Sequence, residues 1–228
     1  MNKDVQIFMN SRRMRHIKRC NNFPCLMPED VAQHSYFVAL LSKVFADEYN
    51  DYCSKLEKDM YKADIGGVLS KAICHDWDEA FTSDIPYVVK HLNPEVHQSL
   101  GKGLNERMNS VMKGCSRSIH NLYNYCMMCK DGTAGAIVGI CDMLELAIYC
   151  YEECTMNNIA LEPILKNCIY YLDNMSDTLT TVMGWENTDV TLFLSEVSPT
   201  VNSLYDMVRN YNFSSDCLCI DIESHTQV

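Results

Sequence analysis

The chain has 228 residues, enough for one domain to bury a core without disulfide or metal staples. Its net charge of −11 excludes a general polynucleotide binder, which needs a basic surface, and its 47% hydrophobic and 21% charged residues are typical of a globular protein. No run approaches the ~18 apolar residues of a membrane span, and the N-terminus lacks the apolar stretch of a secretion signal. We therefore expect a cytoplasmic protein with neither a membrane nor a polynucleotide partner.

The first 19 residues are rich in basic side chains. One acid, Asp4, stands there against six basic residues: Lys3, Arg12, Arg13, Arg15, Lys18 and Arg19. A local basic patch on an acidic protein suits a small phosphorylated ligand better than a polynucleotide. The alternative for most of these side chains is a solvated helix face.

A helix is predicted over 31–49, where Asp30 can cap the first turn and Gln33 can bond back to it. His34 lies one turn inside this helix, aligned with the apolar Val38 and Phe45. It therefore faces the interior, where an imidazole needs either a metal ion or a hydrogen-bond partner.

The next predicted helix, 61–77, places Asp76 on or beside an apolar stripe, with His75 as its sequence neighbour. A strong helix over 133–154 carries Asp142 at the edge of a similar stripe. Together with His34, these residues form a mixed nitrogen and oxygen ligand set, which suits a divalent cation such as Mn²⁺, Fe²⁺, Co²⁺ or Zn²⁺. A His-Asp pair alone is more often a surface or helix-end pair, so spacing by itself leaves the metal site open.

The remaining pattern is helical too, which makes the predicted fold all-α. We interpret 78–99 as a loop with short helical turns, 100–132 as a helix with a loop, and 159–184 and 189–211 as further helices. Residues 1–212 then form one domain, and 213–228 form a mobile tail.

Thirteen cysteines are scattered through helix-like segments rather than through a short, loop-rich framework. We interpret most of them as reduced, buried, small hydrophobic residues. Cys126 and Cys129 form a C-x-x-C pair, but no second pair with zinc-finger spacing follows.

Three blocks of sequence, VAQHSYFVALL, ICHDWDEAFTSDIPYVVKH and GICDMLELA, resemble those of the HD-domain phosphohydrolases, and more narrowly their bacterial 5′-deoxynucleotidase branch. That branch reads His-Asp-x-x-Glu and then Thr-Gly-Asp-Leu-Pro where this chain has 75–79 and 82–86. The resemblance covers about residues 15–155. It implies a single helical bundle of the HD type with one divalent cation (Mn, Co, Fe, Zn or Mg) between core helices, bound by His34, His75, Asp76 and Asp142.

The same resemblance assigns roles to four other side chains. Glu79 would orient the water or pass a proton to the leaving oxygen, and Asp84 would accept a hydrogen bond from the sugar hydroxyl. Arg19 and Lys90 match positions suited to grip phosphate. The alternatives are a surface glutamate, a capping aspartate and two solvated cations.

One departure concerns the sugar pocket. In the 5′-deoxynucleotidases the arginine is commonly followed by a tryptophan, whereas here Cys20 follows Arg19. Trp77 and Phe23 are the candidate replacements for that ring, although Trp77 can equally belong to the core.

The resemblance implies hydrolysis of a deoxynucleoside monophosphate to deoxynucleoside and phosphate, with a small deoxynucleotide as partner and a homo-oligomeric assembly. One alternative is a triphosphohydrolase that releases triphosphate from a deoxynucleoside triphosphate, favoured if Arg12, Arg13, Arg15 and Lys18 lie near the phosphates. A second is a nucleotide-binding module without turnover. Cyclic-nucleotide phosphodiesterases and di-iron oxygenases fit less well, because the surroundings of His91, His97 and His120 do not match a second-metal block.

Overall fold

The computed structural model describes residues 2–85, 94–128, 131–175 and 189–214. Within these ranges the regular structure is helical, with one isolated bridge between Lys18 and Asp30, which confirms the predicted all-α class. The α-helices are α1 Lys3–Ser11, α2 Val31–Lys55, α3 Ile65–Cys74, α4 Glu79–Thr82, α5 Pro94–Met112, α6 Arg117–Asn121, α7 Gly132–Thr155, α8 Glu162–Asp173, α9 Val190–Val197 and α10 Pro199–Arg209.

The start of α2 is formed as the sequence predicts. The Asp30 side chain accepts hydrogen bonds from the backbone N–H groups of Ala32 and Gln33, and the Gln33 side chain accepts from the Asp30 N–H. This reciprocal capping satisfies donors that a helix otherwise leaves unpaired. It fixes the register of the first turn, on which His34 lies.

Three predicted helices differ from the structure. The helix expected over 159–184 ends at Asp173 and is followed by a turn at 174–175, and the rest of that prediction lies outside the described residues. The helix expected over 61–77 ends at Cys74, and residues 75–78 form turns instead. The helix expected over 189–211 is two helices, because Pro199 has no N–H to continue α9. Ser198 instead caps α10, with its side chain accepting from the Val201 N–H.

The main core is formed where α2, α3, α7 and α8 pack together, with α9 and α10 against them. Its helices bury residues such as Val38, Phe45, Ile137 and Leu144, each at most 1% exposed. By length and composition Gly132–Thr155 could also cross a membrane, but 56% of its apolar window is buried inside the bundle. It is therefore placed as the central helix of this core.

A second, smaller core lies beside the first. It joins α1 to the α5–α6 region and includes Ile7, Met14, Trp77, Met108 and Met112. This core attaches the basic N-terminal segment and the stretch after residue 94 to the bundle.

The described cysteines and the C-terminal residues bear on two further predictions. All ten described cysteines are free thiols and seven of them are buried, in agreement with the expected reduced state. At the C-terminus, Ser214 donates to Glu162 from both its backbone and its hydroxyl group, so described contacts continue two residues past the expected boundary at 212. The rest of the expected tail lies outside the described residues.

Candidate metal centre

Four side chains from three parts of the chain converge at one point. His34 Nε2 lies 3.1 Å from His75 Nε2 and 3.0 Å from Asp142 Oδ1. Asp76 Oδ2 lies 3.6 Å from His34 Nε2 and 3.3 Å from His75 Nε2, and His75 Nε2 lies 3.6 Å from Asp142 Oδ1. The structure therefore brings together the four residues that the sequence predicted as ligands.

The local fold explains this convergence. His34 lies in the first turn of α2, directly after its cap. His75 is the C-terminal cap residue of α3, and Asp76 follows in the turn, so the two neighbours can point to one place without sharing a regular helix face. Asp142 comes from the middle of α7, which packs against both other helices.

The cluster opens towards solvent on one side. The His34 side chain is fully buried, whereas the side chains of His75, Asp76 and Asp142 are 10%, 21% and 40% exposed. Asp142 therefore lies nearest the mouth of the site, where water or a substrate can approach.

These separations fit a divalent cation. Ligand atoms about 2.1 Å from an ion in tetrahedral or octahedral geometry lie roughly 3.0–3.4 Å from each other, close to the separations found here. The Nδ1 atoms are engaged elsewhere: His75 Nδ1 lies 2.7 Å from the Ala72 carbonyl oxygen, and His34 Nδ1 contacts Glu145. Such bonds place the ring proton on Nδ1 and leave both Nε2 lone pairs for a metal.

The electrostatics of the cluster also favour a cation. Burial opposes ionisation of Asp76 and Asp142, but the charge and hydrogen bonds of His75 and His34 outweigh it and keep the pKa of both carboxyls below its usual value. Burial likewise opposes the imidazolium form, but the carboxylates raise the pKa of His34, and raise that of His75 well above its usual value. The site thus stabilises positive charge held between two carboxylates.

Behind the ligands lies a buried carboxyl pair that the sequence analysis did not identify. Glu145 accepts from His34 Nδ1, and Glu29 lies close to both. Burial, and then the charge of Glu145, raise the pKa of Glu29 to about 8, so Glu29 is protonated at neutral pH and can donate to Glu145. The sequence signal for Glu145 was its position one turn after Asp142, beside the buried Leu144.

Arg19 is part of this centre. Its guanidinium lies 3.2 Å from Asp76 Oδ2, and its side chain is 13% exposed. Burial works against its charge, yet Asp76 and then Asp142 raise its pKa above the usual value, so the guanidinium stays charged. Nη1 donates to Asp76, and the buried Nε has no hydrogen-bond partner among the described residues, so the guanidinium retains donor capacity.

Glu79, Asp84 and Lys90 are the other side chains to which the resemblance assigns roles. Glu79 is 5% exposed and begins α4, but the chain between Asp76 and Glu79 makes turns rather than the continued helix face that the spacing suggested. Asp84 is half-buried, and its negative charge opposes ionisation of the Cys20 thiol. Lys90 lies outside the described residues.

The structure separates the three candidate residues for the sugar pocket. Cys20 has a positive φ of 48°, and a hydrogen bond links its free thiol to that of Cys150 in the wall of the main core. Trp77 is 6% exposed, and its Nε1 donates to Ser11 Oγ at 2.6 Å. The indole therefore packs in the second core and is not brought to the cluster, and Phe23 packs against the main core.

Comparisons with known proteins identify the family of the chain. The family model of the YfbR-like 5′-deoxynucleotidases matches residues 6–201. No curated protein matches the chain. Among solved structures, the PH0347 protein of Pyrococcus horikoshii shares 18% identity and a TM-score of 0.59, over 89% of this chain and 99% of that one.

Two further structures are HD phosphohydrolases. One, from Listeria innocua, has 20% identity and a TM-score of 0.63 over 88% of this chain and 90% of its own. The other, DatZ of cyanophage S-2L, bound to dA and one catalytic Zn²⁺, has 14% identity and a TM-score of 0.50 over 88% and 91%. These likenesses establish the fold, and the family match extends over most of the sequence. The chain is thus an HD-fold hydrolase that belongs to the YfbR-like 5′-deoxynucleotidase family.

Proposed function

We propose that this protein removes the 5′-phosphate of deoxynucleoside monophosphates, with one divalent cation held by His34, His75, Asp76 and Asp142. The observation that carries the proposal is the convergence of two Nε2 atoms 3.1 Å apart with two carboxylates, each of which lies 3.0–3.6 Å from both Nε2 atoms. When bound there, the cation would supply an activated water and polarise the phosphoryl oxygen. DatZ, with its dA and catalytic Zn²⁺, supports a deoxynucleotide substrate.

The remaining side chains would bind and orient the substrate. Arg19, already anchored on Asp76, would donate its free N–H groups to the phosphate and hold it at the open side of the cluster. The buried Glu79 would pass a proton to the leaving oxygen of the sugar, which is where negative charge develops. Asp84 would accept from the sugar 3′-hydroxyl, and Lys90 stays a predicted phosphate contact.

The distribution of positive charge favours a monophosphate. Among the described residues, Arg19 is the cation that contacts the cluster. Arg12, Arg15 and Lys18 are exposed, and Arg13 lines a separate cavity. No described ion pair brings these four side chains to the ligands, as a triphosphate site would need. Cys20, placed where the family has a tryptophan, leaves selection for deoxyribose to Asp84 and the neighbouring backbone.

The test is a product analysis. The full chain, loaded with Mn²⁺ or Co²⁺, is incubated with deoxy- and ribonucleoside mono- and triphosphates, and the products are separated by chromatography. We expect free phosphate and deoxynucleoside from the monophosphates. Intact triphosphate from a deoxynucleoside triphosphate would instead establish the triphosphohydrolase.

The Glu79→Gln variant separates an enzyme from a binding module. We expect it to lose turnover while it still binds metal and nucleotide. If wild type and variant bind the nucleotide equally and neither yields product, the hydrolase proposal is wrong. The homo-oligomeric state and the cytoplasmic location stay predictions.

A further inference from the structure

A second cavity, away from the metal cluster, has a basic wall. It measures about 250 Å³ and lies between α1, the short helical turn after it, and α5. Its three cations, Lys3, Arg13 and Arg107, come from all three of these segments, and none of the residues of the metal cluster lines it. The basic N-terminus and the stretch after residue 94 therefore line the same cavity.

These three cations are not neutralised by the part of the chain that the structure describes. None of them makes an ion pair with a described carboxylate. The nearest acid in sequence to Lys3, Asp4, is occupied by the Ser116 N–H at 2.9 Å. In a protein of net charge −11, three unpaired cations around one cavity repel each other, and an anion would relieve that repulsion.

The rest of the lining supplies contacts of other kinds. Gln6, Asn10 and Ser110 offer amide and hydroxyl donors, which complete the coordination of phosphate oxygens. The half-buried Phe81 gives an aromatic wall. Since one water takes about 30 Å³ of liquid volume, the cavity holds the volume of about eight waters, enough for a short phosphate chain.

We propose that this cavity binds a polyphosphate anion, independently of the metal centre. Arg13 and Arg107 bind the phosphates with charge-assisted hydrogen bonds and Lys3 adds a point charge. If the anion is a nucleoside polyphosphate, its base packs on Phe81, which lies in α4 together with Glu79. The ligand then contacts the helix that carries a proposed catalytic side chain.

The test measures binding of sodium tripolyphosphate to the full, metal-loaded chain by calorimetry at low salt, and repeats it with EDTA. The Arg13→Ala/Arg107→Ala double variant is compared with an Arg12→Ala/Arg15→Ala control, which removes two exposed arginines outside the cavity. We expect the cavity variant to weaken EDTA-resistant binding about tenfold or more, and the control to stay within about twofold of wild type. Both variants should keep the wild-type melting temperature, since all four side chains are exposed.

Three results would overturn the proposal. An equal loss in both variants would show diffuse charge rather than a site, complete loss in EDTA would place the binding at the metal centre, and no binding would leave the cavity without a ligand. A second arm uses dATP. Tighter binding than tripolyphosphate, abolished by Phe81→Ala, identifies a nucleoside polyphosphate, whereas equal binding identifies the phosphate chain alone.

Discussion

The metal cluster and the basic cavity hold their charges in opposite ways. In the cluster, the buried His34 has His75, Asp142 and Glu145 around it, and both imidazoles lie beside carboxylates. In the cavity, Lys3, Arg13 and Arg107 are exposed and unpaired with the described carboxylates. A charge inside a protein costs several kcal/mol unless it is compensated, whereas a surface charge is already solvated by water. The cluster side chains thus compensate one another's charges, whereas the charges of the cavity can be compensated by a ligand.

The largest effect is expected at the mouth of the cluster. Asp142→Asn removes a charged ligand and one of the two carboxylates beside the imidazoles, so we expect activity to fall by about 10³-fold or more. Initial rates with a deoxynucleoside monophosphate measure this. Asp47→Asn, a change of an exposed aspartate on α2, is the matched control and should keep the wild-type rate. Comparable activity of the two variants would mean that Asp142 is not a ligand.

The next effect concerns the contact behind the cluster. Glu145→Gln removes the carboxylate that accepts from His34 Nδ1, so we expect metal affinity to fall about 10- to 100-fold. Competition with a chelator measures that affinity. The control is Glu153→Gln, since Glu153 is also a buried carboxylate of α7 but binds the Leu26 and Met27 N–H groups, at 2.8 and 2.5 Å.

The control should lower thermal stability without changing metal affinity. If both variants lose affinity equally, Glu145 acts through the stability of α7 and not through His34.

The pH dependence of metal binding tests the charge pairing itself. The pKa values of His34 and His75 are raised above the usual value, so the metal-free site holds protons on imidazoles that a cation must displace. Affinity should therefore rise with pH, by up to about tenfold per pH unit for each displaced proton, and continue to rise above pH 6.5. The carboxyls of Asp76 and Asp142 have pKa values below the usual value and are already ionised in this range. They therefore add nothing to the pH dependence of metal affinity. Affinity that is already constant from pH 6 upward would contradict the pairing.

The smallest effect lies in the turn that carries Asp84. Ser83 has a φ of 65°, in a region that favours glycine, and the motif that residues 82–86 resemble has glycine at this position. Ser83→Gly should raise the free energy of unfolding by about 1 kcal/mol, as measured by denaturant titration. Ser118→Gly, inside α6, should instead lower it by about 1 kcal/mol. A loss of stability in both would show that Ser83 is not strained.

The cluster was predictable from sequence because its charges had to lie on buried faces. His34 aligned with Val38 and Phe45, and Asp142 adjoined a stripe of residues that are buried. The resemblance then supplied the one fact that spacing could not, namely that α2, α3 and α7 meet at these positions. Glu145 was missed since a glutamate one turn from Asp142 is equally consistent with a solvated face.

Other features depended on long-range packing that leaves no local pattern. Trp77 next to Asp76 suggested a pocket residue, but the turns after Cys74 rotate its indole into the second core. The cavity combines residues 3, 13 and 107, and only tertiary structure brings these together. Pro199 did carry a local signal for the break between α9 and α10, which the helical period of the flanking residues masked.

The most direct test of the account is the metal content of the purified full chain, measured by elemental analysis after dialysis against Mn²⁺, Co²⁺ or Zn²⁺, beside Asp142→Asn and Asp47→Asn. We expect one ion per chain in the wild type and in Asp47→Asn, and much less than one in Asp142→Asn. Two ions per chain, none, or one ion in all three proteins would contradict a single centre formed by His34, His75, Asp76 and Asp142.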